Sequence, residues 1–244
     1  MPVVFVHGVP ETSDIWGAVL ARLGRDDVVN LQLPGFGCPR PDGFGATKED
    51  YVAWLVSELE ALKGEGPIDL VGHDWGGGFV VRLVSTRPDL VRSWVTDAAG
   101  LGHPDFEWHD FAKIWQTPAE GEDFFAQQLA LPVEERAGVF ELFEVPHDDA
   151  VALAEQIDQT MVDCILTLYR SATEVGREWA SGFQDVPKPG VVVVATGDSL
   201  GSPERASEAA TRAGARLEVL EGVGHWWMLQ DPAQGAAMLA RCFG

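Results

Sequence analysis

The chain has 244 residues, enough for one large domain or a domain carrying an insertion. Hydrophobic residues make up 46% of it and the mean hydropathy is near zero, the balance of an ordinary globular chain. The formal net charge of -21 opposes nucleic acid and anionic membrane surfaces as partners and reads as a solvated acidic surface. Three cysteines, Cys38, Cys164 and Cys242, are scattered without a CxxC or metal-ligand spacing, which fits a reducing compartment. No leader follows Met1 and no apolar run reaches membrane length, so the expectation is a cytoplasmic location. No metal and no other cofactor is called for.

Pro2 to Val6 reads as a buried strand that begins at once, stopped by His7-Gly8-Val9-Pro10. Residues 13–23 have helical spacing, with Ser13 as cap and Ile15, Val19 and Leu23 on one face. Val28 to Leu33 is the next strand, stopped by Pro34-Gly35-Phe36-Gly37. Thr47 caps a helix running to about Leu62. Ile68, Leu70 and Val71 mark a third strand, and Phe79 to Val84 a helix ending before Pro88. Val91 to Asp97 is a fourth strand.

From about 102 to 187 the strand signal disappears. Apolar residues recur at helical spacing over 105–116, 119–130, 133–144, 148–158 and 159–176, punctuated by prolines 104, 118, 132 and 146. This predicts a helical lid, 102–187, inserted in a core made of 1–101 and 188–244. The strand pattern resumes at Val191 to Ala195 and again at Arg216 to Leu220, separated by a helix from Pro203 to about Ala213. Asp231-Pro232 opens the last helix. Alternating strands and helices with near-continuous apolar strands predict an α/β fold, a parallel sheet of six strands with helices on both faces.

The stretch Gly72-His73-Asp74-Trp75-Gly76-Gly77 lies between the third strand and its helix. Its spacing is that of a nucleophile elbow, in which glycines permit a sharp turn and the central residue is thrust out at the strand's carboxyl end. That residue is Asp74, where most such elbows carry Ser. An Asp here also reads plainly as a helix N-cap. Two further loops follow strands in the same sheet, one with Asp198 and one with His225, and a parallel sheet brings such loops to one edge. A lone His or loop Asp is usually structural; the three together in the order Asp, Asp, His point to a catalytic set.

That order, with His7-Gly8-Val9-Pro10, Leu33-Pro34-Gly35-Phe36-Gly37, the elbow, Gly224-His225 and the lid position, resembles the α/β-hydrolases over nearly the whole chain. Within them the Asp elbow is similar to epoxide hydrolases and the related haloalkane dehalogenases. A carboxylate with an ordinary pKa is ionised at neutral pH and attacks without a base, leaving an alkyl ester at a saturated carbon. His225, oriented by Asp198, would activate water to hydrolyse that ester. The resemblance places the oxyanion hole at the backbone N–H groups of Val9 and Trp75. Asp97, after the fourth strand, is the second candidate for the orienting acid.

An opening epoxide needs a proton donor, and epoxide hydrolases place a lid tyrosine in a Tyr-Arg step; Tyr169-Arg170 stands there. The plain reading of Tyr169 is an amphipathic packing residue. A second lid tyrosine of that family is replaced by Ile114, before Trp115-Gln116-Thr117-Pro118, so His109 is the candidate to assist. Gln32 stands where the family often has an acidic residue. A dehalogenase would instead need two donors for halide, and Trp75 with Trp115 or Trp108 could supply indole N–H groups. Val9 in place of Asn departs from some haloalkane dehalogenases, and Trp75 in place of Arg from fluoroacetate-type ones. Trp115, His109 and Trp226 are the candidate substrate contacts. The expected partner is a small hydrophobic epoxide or halide, with a homodimer left open. A non-catalytic small-molecule-binding protein on the same fold is the rival of another class.

Overall fold

The protein is described from a computed structural model covering residues 2–62, 64 and 66–243. Six strands form one parallel sheet: β1 (Val3–Val6), β2 (Val28–Leu31), β3 (Ile68–Gly72), β4 (Val91–Thr96), β5 (Gly190–Ala195) and β6 (Arg216–Leu220). Their order is β2-β1-β3-β4-β5-β6, so the chain moves one way to β2, returns, and then runs outward from β1 in the other direction. The reversal at β1 and β3 opens a crevice at the strands' carboxyl ends, the usual place for a ligand in such sheets. This is the α/β-hydrolase fold that the sequence predicts.

Alternation along the strands divides the core in two. Val4, Val6, Leu70, Trp94 and Val192 face one way and pack with α2 (Lys48–Leu62), α3 (Trp75–Thr86) and α10 (Pro203–Ala213). Val3, Phe5, Val71, Val95 and Val193 face the other way and pack with α1 (Gly17–Leu23), α11 (Trp227–Gln230) and α12 (Pro232–Phe243). Both faces are therefore covered, which is why these strands read as unbroken apolar runs.

Between β4 and β5 lie α4 (Asp110–Gln116), α5 (Glu120–Ala130), α6 (Val133–Glu141), α7 (His147–Gln156), α8 (Gln159–Arg170) and α9 (Val175–Ala180). This segment joins both halves of the core. Trp115, Phe125, Ile165 and Trp179 belong to the α3 side, whereas Phe140, Ala150 and Leu153 belong to the α1 side. Gln156 adds polar ties, accepting from Thr12 Oγ1 at 2.8 Å and donating to Asp14 at 3.0 Å. No described helix is long and apolar enough to cross a membrane.

Three local expectations change. The helix over 13–23 starts as a 3-10 turn, Ser13–Trp16, capped by Thr12 rather than Ser13. Ser13 is occupied elsewhere, since its amide and hydroxyl both donate to Gln32 Oε1. The run over 105–116 becomes helical only at Asp110, where His109 Nδ1 accepts the Ala112 amide at 3.2 Å. The run over 159–176 breaks after Arg170. Ser171 donates to the Leu168 carbonyl and accepts the Lys48 amide at 2.9 Å, so α2 captures the residue that would have continued the helix.

The elbow depends on close backbone approach. A Cβ on Gly76 would stand 2.3 Å from the Val6 carbonyl oxygen and 2.5 Å from that of His7. Neither oxygen can retreat freely: Val6 closes β1 and its carbonyl accepts the His73 amide at 3.1 Å, and His7 directly after it is held by the Leu33 amide. Gly76→Ala should therefore destabilise the fold by about 1–3 kcal/mol, the usual cost of overpacking. Denaturant unfolding measures this; an unchanged midpoint would mean that the approach can relax.

Candidate active site

Strand β3 ends at Gly72, and the chain turns at Asp74 with φ 49° and ψ -121°, a region a residue with a side chain rarely occupies. Asp74 holds the cap position of α3 but makes no capping bond, so the plain N-cap reading is not the geometry found. Its Oδ1 accepts the Val9 amide at 2.8 Å instead, across 65 residues of chain. The Asp74 amide donates to Asp97 Oδ1 at 2.9 Å. Gly8 lies so close that a Cβ there would sit 2.4 Å from Asp74 Cβ. The turn before Val9 is held by His7, whose Nε2 accepts the Leu33 amide and whose Nδ1 donates to the Gly8 carbonyl. Burial keeps His7 neutral, with its pKa lowered to about 3.

His225 enters from the loop after β6. Its Nδ1 is 3.0 Å from Asp198 Oδ2 and its Nε2 is 3.8 Å from Asp74 Oδ2. Burial opposes a charged His225, but the neighbouring Asp198 carboxylate outweighs it and raises the pKa. Burial likewise opposes the charge on Asp198, yet His225 and the Leu200 amide bring it down to about 2. Asp74 is pushed above the ordinary carboxylate range, chiefly by burial, against the pull of His225, His73 and the amides of Trp75 and Val9. About a fifth of its side-chain surface stays open to the cavity described below. The expectation of an ordinary pKa for Asp74 is thereby corrected: desolvation decides the direction.

Asp97 serves another histidine. Its Oδ2 is 2.6 Å from His73 Nδ1 and accepts the Trp227 indole at 2.8 Å. The other face of His73 looks to Glu11, with Nε2 3.7 Å from Oε1. Burial alone would discharge His73, but Asp97 and Glu11 together raise its pKa to about 10. A buried imidazolium thus stands between two carboxylates directly beneath the elbow. Sequence reasoning gave no role to His73 or Glu11. The one signal was position, since Glu11 follows the His-Gly-x-Pro turn and His73 precedes Asp74.

Above Asp74, an apolar cavity of about 80 Å³ is bordered by Val9, Trp115, Phe124, Phe140, Tyr169 and His225, with Trp226 on its wall. Part of the aromatic roof comes from Phe140 and Phe143. Trp179 and Phe183 instead pack behind, against Trp75 and Trp94. A second, wider cavity runs past Trp108, Asp198 and Ser202 and shares Asp74, His109, Leu200 and His225 with the first.

Tyr169 is 1% exposed and packs edge-on against Trp75 and Trp115, with ring centroids 5.6 and 4.9 Å away. Burial, reinforced by the charge of Asp74, holds its hydroxyl well above pKa 10, so it keeps its proton. The Trp75 indole is close enough to that hydroxyl to favour its ionised form, yet completes no hydrogen bond in this geometry. The Trp115 indole is likewise buried without a partner among the described residues. Burial lowers the pKa of His109 to about 4, and its Nδ1 is used as an acceptor, which leaves a neutral ring with Nε2–H as its only donor. Among the described residues no group of three or more His, Cys, Asp or Glu could hold a metal ion.

The chain is similar in sequence and fold to known proteins. The sequence matches the alpha/beta hydrolase family over residues 3–238. It is 24% identical to the (E)-2-((N-methylformamido)methylene)succinate hydrolase of Acinetobacter baylyi over 213 residues, covering 87% of this chain and 78% of that protein. It is 30% identical to a haloalkane dehalogenase of Agrobacterium fabrum over 136 residues, 52% of this chain and 43% of that protein. The crystal structure of an epoxide hydrolase from Vigna radiata superposes with a TM-score of 0.76 at 19% identity, covering 99% of this chain and 90% of that one. With the match running from β1 into α12 and the strand order to go with it, the chain belongs to the alpha/beta hydrolase family.

Proposed function

We propose that this protein opens a small hydrophobic epoxide with water through a covalent ester on Asp74. One observation carries the reading: Asp74, His225 and Tyr169, whose hydroxyl burial holds well above its ordinary pKa, border the same apolar cavity. Asp74 Oδ2 attacks a ring carbon and the carbon–oxygen bond of the ring breaks. Tyr169 gives its proton to the departing oxygen, with the neutral His109 N–H as an auxiliary donor. The Oδ1 atom, already held by Val9, becomes the ester carbonyl oxygen. His225, oriented by Asp198, then takes a proton from water, which attacks Cγ of the ester. The oxyanion forms on Oδ1 and is met by the Val9 and Trp75 amides. Collapse breaks the Cγ–Oδ2 bond; the departing diol oxygen takes the proton of the newly added hydroxyl, which restores the Asp74 carboxylate, and the proton held by His225 returns to the Tyr169 phenolate. The helices between β4 and β5 act as the lid that keeps bulk water from the ester. The small cavity favours a compact substrate, with Trp115 and Trp226 as walls.

A second reading has its own support. The unpartnered indole N–H groups of Trp75 and Trp115 are the kind of donors that would hold a halide ion. A haloalkane would then react at Asp74 through the same ester, without proton transfer from Tyr169. A chain that only binds small molecules would form no ester at all.

His225→Gln separates these readings. It should leave the attack by Asp74 intact and block hydrolysis, so intact-mass measurement should find an adduct. An epoxide adds its whole mass; a halide adds only its alkyl group. An adduct from haloalkanes alone would replace the epoxide reading, and no adduct from either class would remove Asp74 as nucleophile.

Tyr169→Phe keeps the ring and removes the hydroxyl. Epoxide turnover should fall by about 10²–10⁴-fold, the usual worth of general-acid help, while thermal unfolding shows the fold retained. Near-normal turnover would exclude Tyr169 as the donor.

The raised pKa of Asp74 also has a sign. A protonated carboxyl cannot attack, so the rate of ester formation should decline as pH falls, beginning above the ordinary carboxylate range. Quenched-flow mass spectrometry across pH measures that limb; a limb at or below about pH 3.9 would contradict the burial effect.

A further inference from the structure

Glu11 is fully buried, and no step described so far uses it. Its two oxygens have different tasks. Oε1 accepts the Gly8 amide at 2.6 Å, and Oε2 accepts the Trp226 indole at 2.6 Å. Gly8 immediately precedes Val9, whose amide holds Asp74, and Trp226 immediately follows His225. One carboxylate, 215 residues from Trp226, therefore joins two turns from opposite ends of the chain. Each donor carries a single hydrogen and each oxygen accepts one of them; burial pushes the Glu11 pKa up, with His73 and the Gly8 amide pulling against it. His73 supplies the countercharge on the third side.

We propose that Glu11 is a positioning residue that locks the Gly8–Val9 turn and the His225–Trp226 turn into one frame, fixing the oxyanion donor relative to the base. The inference rests on the ester reading above. Glu11 touches neither the substrate cavity nor the reacting atoms; it acts through the Val9 amide and the His225 ring. Its influence falls on the step that needs both at once. Ester formation needs Asp74 alone with its proton donor. Ester hydrolysis needs water at His225 while negative charge develops on Oδ1 beside Val9.

Glutamine at this position has one acceptor oxygen, and its amide would face an N–H group. Only one of the two turns could then be held. A displacement of about 1 Å in catalytic geometry costs on the order of 10²-fold in rate. In Glu11→Gln, hydrolysis of the ester should slow by about that factor while ester formation slows by much less. The covalent intermediate should then accumulate during turnover, visible by rapid-quench mass spectrometry. Trp226→Phe keeps an aromatic ring, though a smaller one, on the cavity wall and removes the indole N–H at the other end of the tie; once substrate saturates the altered wall, it should show the same accumulation. The double variant should be no slower in hydrolysis than the worse single one, because both cut the same connection.

Equal slowing of both steps in Glu11→Gln would mean general loosening and would overturn the inference. Additive effects of the two substitutions would overturn it too. If the His225→Gln chain forms an adduct but Glu11→Gln hydrolyses its ester at the normal rate, the positioning role alone fails. If His225→Gln forms no adduct, the ester reading fails and takes this role with it.

Discussion

The site hangs on a contact between backbones. The end of β1 and the start of α3 approach so closely that Gly76 has no room for a side chain, and Gly8 meets Asp74 in the same way. This approach brings the Val9 amide within 2.8 Å of Asp74, although the two are remote in sequence. It also holds Asp74 at a positive φ, a conformation costing on the order of 1–3 kcal/mol that surrounding structure must impose. The imposed turn lifts the carboxylate out of the capping role that its place in the chain would otherwise assign.

Beneath that turn, six ionisable side chains lie close together. Glu11, His73 and Asp97 form a row, and Asp74, His225 and Asp198 form a second row beside it. The rings of His73 and His225 are 4.7 Å apart, and each lowers the other's tendency to hold a proton. The carboxylates flanking each ring restore that tendency. Removing one partner of such a buried pair typically costs about 3–5 kcal/mol, because the survivor is left without compensation. The rows are thus mutually dependent, and the elbow inherits their rigidity through the Asp74 amide and the Gly8 turn.

The helices between β4 and β5 contribute a different kind of environment. They supply aromatic rings and few charges to the cavity wall, and the Tyr169 ring sits among Trp75, Trp108 and Trp115. Low polarity there raises the cost of ionising Asp74 and Tyr169 together. The two groups consequently differ in what they can offer: Asp74, reached by amides and a histidine, can carry charge, whereas Tyr169 retains its proton. The contrast starts from the groups themselves, a carboxyl of ordinary pKa about 3.9 and a phenol of about 10, and burial against the same cavity raises both.

Much of this was legible in the order of residues. Strand positions and the elbow follow from apolar runs and glycine spacing, which are local properties, and the observed elements agree. Asp74, Asp198 and His225 could be singled out because each follows a strand, and parallel strands deliver such loops to one edge. Helix ends were less legible. Ser13 and Ser171 are diverted by Gln32 and Lys48, partners that no window of sequence contains. Which of Asp97 and Asp198 meets His225 depends only on packing, which turns one carboxylate toward His73 and the other toward His225. Glu11 was invisible for the same reason. Its two bonds reach a neighbouring turn and a residue at the far end of the chain, so its importance exists only where tertiary structure brings those ends together.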